Sequence, residues 1–255
     1  MNKVRILAVA FGFVVGFEFG QPAESRKVAA QRFADSTRFN ITGAPILSLP
    51  RGEFGQNVGK SFGATGGVAY YVDRPGFMSL RFDVSSVQYG SEKNRSPLHP
   101  VGGRITFDVR TTNTIAAIGF GPELAWPRGH VRPYANAGIS KQFFRTSSLV
   151  EGIDSESFAS TTNHKDSVAA WVFGGGVRVP LVMNDPRKAI SLDLGVRYSR
   201  GGVASYLREG SIEDLPDGSI VINPLVTRTP QVVYMIGLRY RIPHNPATTC
   251  ARLLC

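Results

Sequence analysis

The segment QVVYMIGLRYRI, residues 231–242, alternates in polarity along its length. One set of alternate positions carries valine, tyrosine, isoleucine and leucine. The other set includes two arginines, a glycine and a methionine. Successive side chains of a β-strand point to opposite faces, so this period of two predicts a strand with unlike faces. In a soluble protein the apolar face would pack the core. In a membrane barrel it would face lipid, and the arginines would face an enclosed lumen.

The same alternation recurs along the chain, and we predict a strand at each of these places: residues 38–49, 61–72, 77–85, 114–126, 131–144, 169–181 and 189–200. With residues 231–242 they make about eight strands, an even number, as bacterial membrane barrels have. We expect no helix of useful length after residue 38, because no helical periodicity follows it. A hydrophobic content of 42% also argues against a protein built from many spanning helices.

The predicted connections alternate between short and long. Residues 73–76, 127–130 and 183–188 are short and rich in turn-forming residues, whereas the long polar segments are residues 50–60, 88–104, 145–167 and 205–230. Short turns at one end and long loops at the other are typical of an up-and-down barrel. Both termini would then lie at the end with the short turns.

The positions of the glycines indicate which face of each strand points into the barrel. Many of the 28 glycines fall on the polar faces, and an eight-stranded barrel has an interior only just wide enough for side chains. Tyrosine and tryptophan lie near the ends of the apolar faces, as aromatic girdles at a membrane surface require. We therefore predict an all-β fold: an up-and-down antiparallel transmembrane β-barrel of about eight strands. A soluble lipocalin-like barrel with exchanged faces is the alternative.

Charged residues on the inward faces fall at similar depths. Counted from the short-turn end at a rise of about 3.3 Å per residue, Arg81, Glu123, Arg178, Asp193 and Arg239 all lie roughly 10 Å inside. Buried charges are tolerated when they are paired and hydrogen-bonded, so we predict a lumen closed by an ionic network. Its predicted members are Arg81, Asp83, Glu123, Arg178, Asp193, Arg197, Arg239 and Arg241.

The strand texture and the segment GLRYRI resemble the small eight-stranded outer-membrane barrels of bacteria, the family of the OmpA transmembrane domain and OmpX, over residues 38–242. Gly237, Tyr240 and Ile242 match that family's C-terminal assembly signal, with isoleucine at the usual place of the terminal aromatic residue. The resemblance implies a location in the bacterial outer membrane. It also implies outer-membrane lipids and the barrel-assembly machinery as partners.

Both ends of the chain lie outside the predicted barrel. Lys3, Arg5 and the apolar run 6–17 are typical of a secretory signal, so we expect a signal peptide at residues 1–20, with cleavage between 20 and 30. A buried N-terminal strand or helix is the alternative. We expect a linker at 21–37 and a periplasmic tail at 243–255, in which Cys250 and Cys255 could form a disulfide.

The sequence offers few residues arranged for catalytic or binding chemistry. The fragment around His164, with Asp166 and Ser167, lies in one polar segment and supplies no convincing nucleophile, base and orienting group; the other histidines are His99, His130 and His244. The glycine-rich pieces GFGPEL and FGGGVR open no helix, so they do not predict a phosphate loop. The net charge of +10 is not clustered as a nucleic-acid surface requires. We predict no enzyme, no cofactor, no metal and no nucleic-acid partner.

The sequence thus predicts a non-catalytic protein of the outer membrane, with a structural or surface-interacting role carried by four long extracellular loops. A small passive pore, or a transporter of small or apolar solutes, is one alternative, and a lipid A-modifying barrel enzyme is another. Basic residues in the predicted loops could meet lipopolysaccharide phosphates: Lys93, Arg95, Arg104, Lys165 and Arg208.

Overall fold

The computed structural model describes residues 38–73, 76–97, 106–151, 157–181, 190–214 and 220–242. The predicted signal peptide, linker, C-terminal tail and cysteine pair lie outside these residues, as do His99, His244 and Arg104. No helix within the described ranges is long and apolar enough to cross a membrane.

The described strands form a closed antiparallel barrel. Its eight strands are β1 (Phe39–Pro50), β2 (Ser61–Tyr71), β3 (Met78–Pro97), β4 (Thr106–Ala125), β5 (Arg132–Glu151), β6 (Ser157–Pro180), β7 (Ile190–Tyr206) and β10 (Leu225–Ile242). Each strand pairs with the next in this order, and β10 closes the barrel on β1, with Phe39 opposite Ile242. A helix, α1 (Gly52–Asn57), follows β1, and the short strands β8 (Ile212–Asp214) and β9 (Ile220–Ile222) form a separate hairpin. The predicted barrel class is confirmed.

Two expectations about the connections are wrong. The helix α1 lies where we expected none, and the predicted long loops 88–104 and 145–167 are largely strand. Strands β3 to β6 have 20, 20, 20 and 24 residues, about twice the 9–11 that a membrane crossing needs. Their far halves carry serine, threonine and charged residues on both faces, so no alternation marks them in the sequence. We call the end of the barrel at which its first strand begins and its last strand ends the turn end. The opposite end is the loop end.

The two faces of the wall differ as predicted. Outward side chains are large and apolar, and examples such as Phe62, Ile236 and Trp171 are 60–68% exposed. Inward side chains near the turn end are charged or polar, and Glu123 and Asp193 are fully buried. A soluble barrel has the opposite arrangement, because water rather than lipid surrounds it. The exterior is therefore that of a membrane-spanning barrel.

Depth along β10 provides a direct test of this exterior. Ile236 and Val226 are both outward-facing and similarly exposed, at 63% and 64%. Ile236 lies within the apolar belt, the band of large apolar side chains on the outside of the barrel, whereas Val226 lies at the loop end. In lipid vesicles, Ile236→Arg should lower the free energy of unfolding by about 2–4 kcal/mol and Val226→Arg by about 0–1 kcal/mol, because the cost of a charge rises toward the bilayer midplane. Urea titration measures both. Equal, small effects would indicate that both sites face water.

Candidate functional site

The lumen near the turn end is organised around one carboxylate. Glu123 of β4 is fully buried and accepts hydrogen bonds from three guanidinium groups. The donors are Arg178 Nη2 at 2.6 Å, Arg81 Nη1 at 3.0 Å and Arg239 Nη1 at 3.0 Å. The Ser79 hydroxyl donates a fourth bond at 3.3 Å. These donors lie on β3, β6 and β10, so Glu123 connects four strands across the lumen.

Two further carboxylates extend this cluster. Asp83 accepts from Arg81 Nε at 2.7 Å and from Arg197 Nη2 at 3.2 Å. Asp193 accepts from Arg178 Nε at 3.3 Å. Arg81 and Arg178 therefore each bridge two carboxylates. We call the seven residues the ionic network: Arg81, Asp83, Glu123, Arg178, Asp193, Arg197 and Arg239.

Glycines in neighbouring strands make room for these long side chains. Asp83 lies opposite Gly67 of β2 and Gly119 of β4. Arg81 lies opposite Gly121, Arg197 opposite Gly174, and Asp193 opposite Gly237. A methyl group on Gly67 would collide with the Asp83 carboxylate. The pattern of charge beside glycine follows from the narrow interior, where a large inward residue needs a small neighbour.

The eight residues predicted for the network do not all join it. The structure places seven of them in the cluster, whereas Arg241 lies closer to the turn end and donates to the Tyr71 hydroxyl at 3.1 Å. Its guanidinium also lies 5.2 Å from the centre of the Tyr71 ring. Arg178 makes a similar, closer contact with the Tyr134 ring at 3.9 Å. Aromatic rings therefore supplement the carboxylates as partners for the excess of arginines.

A second closure, which sequence reasoning missed, lies toward the loop end. Helix α1 places Phe54 inside the barrel mouth with no exposed surface. Its ring packs edge-on against Tyr206 at 5.0 Å, Phe144 at 6.1 Å and Tyr89 at 6.4 Å between ring centres. We call these four residues the aromatic plug. The available signal was the pair Phe54 and Val58, four residues apart in an otherwise polar segment; Val58 is also buried.

The candidate catalytic fragment does not assemble. His164 Nε2 contacts the backbone carbonyl of Ser205 at 3.1 Å, and the Asp166 carboxylate accepts from the backbone N–H groups of Ser205 and Ser167. Asp166 therefore orients backbone rather than the imidazole. Within the described ranges no three His, Cys, Asp or Glu side chains are grouped as metal ligands. His130 lies in the exposed turn between β4 and β5.

The residues of the predicted assembly signal lie on the closing strand β10. Tyr240 and Ile242 are outward-facing and 41% and 39% exposed. They lie opposite Ile41 and Phe39 of β1. Gly237 faces the lumen, where a methyl group would collide with Ala44. The outward pair thus belongs to the lipid-facing surface, and the glycine belongs to the packing of the interior.

Loss of the central charge should destabilise the barrel strongly. Glu123→Gln keeps the side-chain volume but leaves three buried guanidinium groups without their shared carboxylate. We expect the free energy of unfolding in lipid vesicles to fall by about 3–5 kcal/mol. Glu53→Gln removes an exposed carboxylate from α1 and should change it by no more than about 0.5 kcal/mol. Equal stability of the two variants would mean that water, not Glu123, balances the arginines.

Comparisons with known proteins give likenesses of structure only. No protein-family model and no curated protein matches the chain. Among solved structures, neisserial surface protein A is 13% identical with a TM-score of 0.46, and the match covers 81% of this chain and 99% of that one. Ail of Yersinia pestis, solved with the heparin analogue sucrose octasulfate, is 11% identical with a TM-score of 0.44 and the same coverage. OprG of Pseudomonas aeruginosa is 14% identical with a TM-score of 0.40, covering 82% and 97%.

These low identities and scores add no argument about residues or activity. The chain's own structure shows strands that are apolar outside and charged inside, closed without a free edge around the membrane-spanning part. Such closure satisfies the backbone hydrogen bonds that lipid leaves unmet. The chain is therefore a small eight-stranded transmembrane β-barrel of the kind found in the bacterial outer membrane.

Proposed function

We propose that this chain is a non-catalytic outer-membrane protein with a closed lumen, whose role is structural and surface-interacting. The observation that carries the proposal is the fully buried Glu123, which accepts hydrogen bonds from Arg81, Arg178 and Arg239 across the lumen. A carboxylate held in this way occupies the space that a water column would need. The alternative of a small passive pore or transporter requires the network to open.

The aromatic plug supports the same proposal from the loop end. Phe54 fills the mouth between β3, β5 and β7, and Tyr89 and Tyr206 are nearly inaccessible. The lumen therefore has two closures in series, one ionic and one apolar. Opening either one alone leaves the other in place.

The far halves of β3 to β6 give the surface-interacting role its platform. They project as a four-stranded sheet beyond the apolar belt, and the segment after β7 fastens its β3 edge. The Ser91 N–H donates to Glu209 Oε1 at 3.1 Å, and the Gly210 N–H donates to Glu92 Oε2 at 3.1 Å. The Tyr89 hydroxyl donates to the Leu207 carbonyl at 3.0 Å. Such a fastened sheet presents binding residues more rigidly than loops would.

The partner that we infer for the outer face near this sheet is the phosphate groups of lipopolysaccharide. Arg145 and Lys165 lie directly opposite each other on β5 and β6, and both are exposed. Arg145 is the next outward-facing residue of β5 after Phe143, which belongs to the apolar belt. Like charges placed opposite one another destabilise a sheet unless an anion lies between them. The phosphates of a neighbouring lipid would supply that anion at this depth.

The other basic residues expected at this partner fit less well. Lys93 pairs with Asp108 at 2.9 Å, and Arg208 donates to the Asn57 side chain at 3.1 Å. Arg95 and Arg104 have no described side chains. Lys165 is the member of the predicted set that remains in the proposal, joined by Arg145. The barrel-assembly machinery, which the outward Tyr240 and Ile242 would meet, is likewise proposed as a partner.

Two closures in series predict a specific pattern of conductance. In planar bilayers the wild-type protein should show no steady open level, and Phe54→Ala should remain closed because the ionic network persists. The double variant Phe54→Ala/Glu123→Ala should open and favour anions, since the remaining lumen is rich in arginine. A large steady conductance in the wild-type protein, unchanged by either substitution, would contradict a closed barrel and support the pore.

Removal of one charge at either end tests the lipid partner. Arg145→Ser and Lys165→Ser should each weaken binding to bisphosphorylated lipid A in micelles by about fivefold, because each basic residue near an anionic surface contributes about 1 kcal/mol to binding. Arg128→Ser removes one exposed charge at the turn end and should have no effect. Fluorescence titration with phosphorylated and dephosphorylated lipid A measures this. Equal losses in all three variants would indicate nonspecific attraction by net charge.

A further inference from the structure

A cavity of about 90 Å³ lies in the lumen between the ionic network and the aromatic plug. At about 10–15 Å³ per water, it has room for roughly six to nine waters, or for a ligand of similar size. Bare backbone at Gly119, Gly121 and Gly138 forms one wall, because β4 and β5 carry no side chains there.

The end of the cavity toward the network carries unbalanced positive charge. Among the described residues of the network, four guanidinium groups face three carboxylates, which leaves one positive charge over. Arg81 and Arg197 line the cavity together with Asp83, the carboxylate that both of them contact. Arg81 is 4% exposed, and its buried Nη2 has no hydrogen-bond partner within the described part of the chain. A buried N–H donor of this kind favours an acceptor with negative charge.

The wall just above these arginines carries an acceptor with no donor. Gln142 of β5 is 1% exposed and lines the cavity. Its Nε2 donates to the Ser199 hydroxyl at 2.8 Å, which fixes the amide. Its Oε1 is buried and has no partner among the described residues. Ser199 and Arg197 are consecutive inward positions of β7, and the free acceptor lies beside Gly201, the inward position beyond Ser199.

Another part of the cavity wall is apolar. It is lined by Ile46, Val87, Ile115, Val233 and Met235, which belong to the cluster packed around Phe54. A simple inorganic anion would leave this surface without contact. A ligand with a short aliphatic part would bury it.

We propose that the cavity binds a short-chain hydroxycarboxylate. The carboxylate accepts from Arg81 Nη2 and neutralises the excess charge, the hydroxyl donates to Gln142 Oε1, and the aliphatic end contacts Ile46 and Val87. This goes beyond a structural role, because it gives the closed barrel a small-molecule ligand held between its two closures.

Equilibrium dialysis of the folded protein in micelles, with radiolabelled 3-hydroxybutyrate as the probe and empty micelles as the blank, tests the proposal. We expect saturable binding of one molecule per barrel. Butyrate, which lacks the hydroxyl, should bind several-fold more weakly. The amine analogue 4-amino-2-butanol and chloride should not compete.

Three variants locate the site. Ala117→Leu fills the cavity from β4 and should abolish binding, whereas the neighbouring Ala116→Leu adds the same side chain to the outer face and should leave binding unchanged. Arg197→Gln balances the network, while Asp83 keeps Arg81 as a partner, and should reduce binding at least tenfold. The proposal is overturned if 3-hydroxybutyrate does not saturate, if Ala117→Leu binds as well as wild type, or if chloride or the amine competes.

Discussion

The pairing of Glu123 with three arginines is the interaction around which the interior of the barrel is arranged. A carboxylate taken out of water is costly unless its partners replace the lost hydration. Here three other strands contribute donors to Glu123. The ion pairs of Asp83 with Arg81 and of Asp193 with Arg178 extend this charge pairing across the lumen. The network thereby holds strands together that are not neighbours in the sheet, which the backbone ladder alone does not do.

Space in a narrow barrel imposes the second requirement. Four members of the network lie opposite a glycine on an adjacent strand, as Asp83 lies opposite Gly67 and Gly119. Where β4 and β5 bring several glycines together, at Gly119, Gly121 and Gly138, the interior keeps a cavity. Glycine thus makes room for charged side chains of the network and also leaves open space in the lumen. Both effects follow from the narrow interior of an eight-stranded barrel, in which the size of each inward side chain decides whether space remains.

The loop end departs from this arrangement because its interior is apolar. Phe54, with Tyr89, Phe144 and Tyr206, closes the mouth by ring packing rather than by charge. Beyond it the projecting sheet of β3 to β6 carries polar residues on both faces. Different features therefore follow one another along the barrel axis: the ionic network near the turn end, a cavity in the middle, and an exposed sheet beyond the aromatic plug.

The sequence by itself determined the strands within the membrane and their faces, and it predicted a set of inward charges, because a period of two fixes side-chain direction locally. It did not determine which charges meet, since Glu123 finds partners 42, 55 and 116 residues away. Nor did it reveal α1, whose segment GEFGQN has poor helix propensity with two glycines. That helix forms where the barrel mouth offers Phe54 an aromatic pocket. The far halves of β3 to β6 also needed the tertiary structure, because their register is inherited from the barrel below and no alternation of polarity marks them.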